Sequence, residues 1–177
     1  MKYEKMSIEE FVQDTRTFRL GDKVGTTSVR KSDAPAYAAY VKAHKPEIMA
    51  FLLNREEMEK KAVEERQAKI DAIEGLKEIE AAKEAVLNWR QKFNKAMEDG
   101  DGILPCKPDV DLEALYAKFP RAAAYRKAEA GSLASHYTKA SVYKEALERI
   151  INGEDYEKAL ADADTEWKEY LVEHIWD

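Results

Sequence analysis

Between Phe93 and Asp111 a long charged helical pattern stops in Glu98-Asp-Gly-Asp-Gly-Ile-Leu-Pro-Cys-Lys-Pro108 and then restarts. On both sides the apolar residues recur at intervals of three and four, the spacing that lines one face of an α-helix. No catalytic or cofactor signature interrupts them. A chain with this layout folds as a mainly α protein and presents its chemistry on helix surfaces.

The chain's 177 residues fit one domain with at most a small appendage and are enough to bury a core. Only 7 Gly and 5 Pro stand among 36% charged residues, which favours helices over a turn-rich sheet. No apolar run approaches the ~20 residues that cross a bilayer, and Met1-Lys-Tyr-Glu-Lys-Met-Ser7 lacks a signal-peptide core. The expectation is a soluble, cytoplasmic protein that makes no membrane contact. The single Cys106 cannot form an internal disulfide and agrees with a reducing compartment.

Ser7-Ile-Glu-Glu10 fits a capping box that opens a short helix with Ile8, Phe11 and Val12. Thr17–Leu20 and Thr26–Arg30 lean towards strand around Gly21-Asp-Lys-Val-Gly25, a hairpin whose glycines supply positive φ. Ser32-Asp33 caps a helix ahead of Pro35, and Pro46 starts another that buries Ile48, Met49, Phe51, Leu52 and Leu53. Asn54 to Lys69 has almost nothing to bury and reads as a solvated connector laced by charge pairs.

Gly75 marks a break, after which Leu76, Ile79, Ala82, Val86, Trp89, Phe93 and Met97 form one stripe. Asp111 caps a turn carrying Leu112, Leu115 and Tyr116. Phe119-Pro120 opens a helix running to Asn152-Gly153, with core candidates that include Tyr125, Ser135, Tyr143 and Ile150. Asp155 caps the last helix, with Tyr156, Leu160, Ala163, Trp167, Tyr170, Leu171 and Ile175 on one stripe. The expected organisation is a small α/β hairpin-helix unit over 1–53, a charged connector over 54–75 and an antiparallel helical bundle over 76–177.

Chemistry is sparse. His44, His136 and His174 are far apart and Cys106 has no Cys or His neighbour, so no metal site is expected. Asp99-Gly-Asp-Gly102 starts like a calcium loop, but Ile103 stands where the third ligand belongs and no Glu follows at position twelve. There is no phosphate loop, no nucleophile elbow and no isolated acidic pair, so neither a catalytic residue nor a cofactor is assigned.

Charge is more informative than motif. The net charge of -6 conceals basic segments at 16–45 and 118–152 and a strongly acidic end from residue 153 onward. Arg121, Arg126, Lys127, Lys139 and Lys144 interleave with Tyr125, Tyr137 and Tyr143, a mix able to follow a nucleic-acid backbone; the plainer reading is a polar face over core tyrosines. Asp162, Asp164, Glu166 and Glu169 form an acidic face able to meet a basic partner; the plainer reading is a solvated helix. Segregated charge of this kind favours partner binding.

Two resemblances extend this. Residues 8–53, through Val41-Lys-Ala-His-Lys-Pro-Glu-Ile-Met-Ala-Phe-Leu-Leu53, resemble the TubC-type docking domains of peptide and polyketide synthetase subunits. Nothing downstream looks like a synthetase, so the likeness implies a protein-binding fold alone. Lys118-Phe-Pro-Arg-Ala-Ala-Ala-Tyr-Arg-Lys-Ala-Glu-Ala130, Glu148-Arg-Ile-Ile-Asn-Gly-Glu-Asp-Tyr156 and Glu173-His-Ile-Trp-Asp177 look like small phage and mobile-element proteins of Gram-positive gut bacteria. Such genes include type II anti-CRISPR proteins that bind Cas9. The resemblance implies a stoichiometric, non-catalytic inhibitor whose partner is a host protein or nucleoprotein such as Cas9 with guide RNA. The alternatives are a nucleic-acid-associated accessory protein of phage replication or gene regulation and, third, a coiled-coil adaptor.

Overall fold

A computed structural model describes residues 3–100 and 104–174. The calcium-like positions Asp101, Gly102 and Ile103, and Ile175 of the last stripe, lie outside the described residues. The protein is mainly α, with seven helices and one hairpin among the described residues. It divides into two compact units, Met1–Glu65 and Arg66–Asp177, so the boundary falls within the 54–75 stretch.

In the first unit, α1 (Ile8–Thr15) is opened by the expected capping box: Ser7 Oγ accepts from Glu10 N at 3.2 Å and Glu10 Oε2 accepts from Ser7 N at 2.8 Å. Strands β1 (Thr17–Leu20) and β2 (Lys23–Thr26) pair antiparallel, Leu20 opposite Lys23. The second strand therefore lies earlier than the expected Thr26–Arg30. Gly21, at φ 59°, makes a two-residue turn with Asp22, which brings the chain back at once. Gly25 has no positive φ; it leaves room for the Phe18 ring across the hairpin.

Helix α2 (Ala34–Asp71) bends at His44, whose φ of −119° is non-helical, because Pro46 lacks an N–H and crowds the preceding turn. Its first half buries Tyr40, Ile48 and Leu52 against Phe11 and Val12, with the Phe11 and Tyr40 rings stacked at 4.2 Å. Leu53 was expected in this core but is 41% exposed, since Leu52 takes the inward position. From Asn54 the helix is solvated, with Arg55–Glu59, Lys60–Glu64 and Lys61–Glu65 one turn apart.

The second unit begins on the last turns of α2, where Ile70 enters its core, followed by Ile73 in the turn beyond the helix. Gly75 adopts φ 75° with the Phe119 ring where a Cβ would lie, and α3 (Leu76–Asp99) follows. Asp111 accepts from Ala114 N at 3.0 Å to cap α4 (Leu112–Lys118). The expected single helix over 120–152 is two: α5 (Pro120–Ser132) and α6 (Tyr137–Ile151). Ser135 falls in the break between them and is exposed instead of core. Gly131 lets α6 close on α5: a Cβ there would lie 2.3 Å from the Tyr143 ring. Helix α7 (Tyr156–His174), capped by Asp155 at 2.9 Å from Glu157 N, packs on both.

Ala122, Ala124, Ala128, Ala146, Ala159 and Ala163 line these helix contacts, with Ile79, Leu147 and Ile150 filling between them. The α3 stripe is buried only over Leu76, Ile79 and Ala82. Val86, Trp89 and Phe93 are half-buried and Met97 is 60% exposed, so the stripe leaves the core halfway along. Trp167 is likewise half-buried at the core's edge.

Candidate interaction surfaces

Four of the five predicted basic residues have intramolecular partners. Arg121, on α5, donates from Nη2 to Ile150 O at 2.5 Å and caps the end of α6. Arg126 bridges Glu80 of α3 at 3.4 Å and Glu129 at 2.7 Å; its Nε is buried without an acceptor. Lys127 meets Asp164 at 2.7 Å. Lys139 lies over the Tyr143 and Trp167 rings, about 5.9 and 5.8 Å from their centroids. Lys144 is exposed and without an ion pair among the described residues. The five do not share one helix, because the break at 133–136 puts Lys139 and Lys144 on α6.

The acidic face divides in the same way. Asp162 accepts from Arg149 at 2.9 Å, and Asp164 accepts from both Lys127 and the Tyr143 hydroxyl. Glu166 and Glu169 stay exposed. Much of the charge segregation is thus complementary within the unit, with basic α5 and α6 facing acidic α7. The sequence alone concealed this, because the break that brings α6 back along α5 was signalled only by Gly131-Ser132 and Ser135-His136.

Burial tends to push the Asp164 carboxyl up, but the hydrogen bonds from Lys127 and Tyr143 outweigh it and hold the group below the ordinary aspartate range. The Tyr143 hydroxyl is pushed up to about 12, first by burial and then by the carboxylate it donates to. This pair fastens α6 to α7. Asp164 is therefore not the dispensable surface acid that its sequence position suggested.

Two surfaces escaped sequence reasoning. At the N-terminal end of α6, His136 packs on Trp167 and Tyr170, and His174 stacks on Tyr170 with centroids 4.1 Å apart. The signal was present in Trp167 and Tyr170, three residues apart on α7, which helical spacing assigns to the core stripe.

The second surface is the half of α3 beyond Ala82. Its Trp89 Nε1 donates to Pro105 O at 3.0 Å, which ties the 104–110 segment to one side of the helix. On the other side a cavity of about 500 Å³ opens between α3, Leu112 and Arg126, with Lys83, Val86, Leu87 and Arg90 on its α3 wall. Leu87 is 54% exposed there.

Among the described residues no cluster of three or more His, Cys, Asp or Glu is placed to hold a metal ion, and no helix is long and apolar enough to cross a membrane. Cys106 is exposed. Compared with known proteins, the chain matches no family model, no curated protein and no solved structure.

Proposed function

We propose that the chain is a non-catalytic interaction protein of a phage or mobile element, working in the host cytoplasm by occupying a host protein. The first partner to test is a Cas9–guide RNA complex. One observation supports the binding reading: beyond Ala82 the apolar stripe of α3 leaves its unit's buried core, half-buried at Val86, Trp89 and Phe93 and exposed at Leu87 and Met97. Contiguous exposed apolar surface costs solubility and marks interaction sites. The phage and Cas9 part rests on the sequence likeness of residues 118–130, 148–156 and 173–177. The runner-up, a nucleic-acid-associated accessory protein, has less support because Arg126 and Lys127 already face carboxylates.

The test is cleavage of target DNA by several type II effectors, each loaded with guide RNA and titrated with the full chain. Inhibition should track occupancy, consume neither protein nor guide, and level off at a fixed ratio of chain to complex. Full cleavage at saturating protein by every effector would remove Cas9 as the partner and leave the binding reading to be tested at α3.

A further inference from the structure

We draw no further inference here: the strongest candidate, the cavity between α3, Leu112 and Arg126, carries the acids Glu80 and Glu84 beside the bases Lys83, Arg90 and Arg126, so its charge selects no occupant, and nothing in the structure shows what covers it.

Discussion

Gly131 is the residue at which one methyl group should matter most. A Cβ there would sit 2.3 Å from the root of the Tyr143 ring, which cannot swing away as a flexible tip would. Alanine would favour the helix by ~1 kcal/mol, but overpacking a closed contact costs ~1–3 kcal/mol. Gly131→Ala should therefore lower the urea midpoint, and the loss should shrink when Tyr143 is also truncated; an unchanged midpoint would refute the close approach. Tyr143 carries a second test. Its hydroxyl stays protonated to about pH 12 in the folded chain, against about 10 when unfolded. Stability from this group is complete below pH 10 and is lost as pH rises towards 12. The lowered Asp164 works at the other end, contributing above the ordinary aspartate range and failing as pH falls through it. Tyr143→Phe keeps the ring, so it should remove the extra alkaline slope and soften the acid one when melting is followed against pH. Identical pH profiles would show that the hydroxyl contributes nothing to either.

At the scale of elements, α3 divides into a root and a free face. Ile79→Ala removes a fully buried side chain and should cost ~2–5 kcal/mol, whereas Leu87→Asp and Met97→Asp should stay within about 0.5 kcal/mol of the parent. Comparable losses at all three would mean that the whole stripe is core. Much at this scale was legible in the sequence. The capping box at Ser7, the Asp111 and Asp155 caps and the Gly75 break follow from local hydrogen-bond and φ requirements that a few residues express. What was not legible depends on distant residues. Periodicity places Trp89, Phe93 and Met97 on one face but does not say whether another helix reaches it. The break after Ser132 was hidden because Tyr125 to Ile151 keeps helical spacing across it, and only the packing of Tyr143 over Gly131 reveals the turn back.

Across the whole molecule, each compact unit has its own core, and the charge pattern that first suggested separate binding faces is in good part spent inside the second unit. Lys127 with Asp164 and Arg149 with Asp162 join the basic and acidic segments at 2.7 and 2.9 Å. The sequence distinguished the two signs but could not show that they meet, since that depends on how α5, α6 and α7 fold onto one another. On α3, Leu87 and Met97 stay exposed beyond the point where the stripe leaves the core. Hydrogen exchange, read amide by amide across the full chain without a partner, tests this most directly. Amides around Ile79, Tyr125, Leu147 and Ile150 should exchange only through global opening, and those around Phe11 and Ile48 through opening of the first unit's core. Those of α3 beyond Val86 should exchange far faster through local opening, as should the solvated turns of α2 after Asn54. Protection that stays uniform from Leu76 to Asp99 would contradict the account, because it would place the face offered to a partner inside the chain's own core.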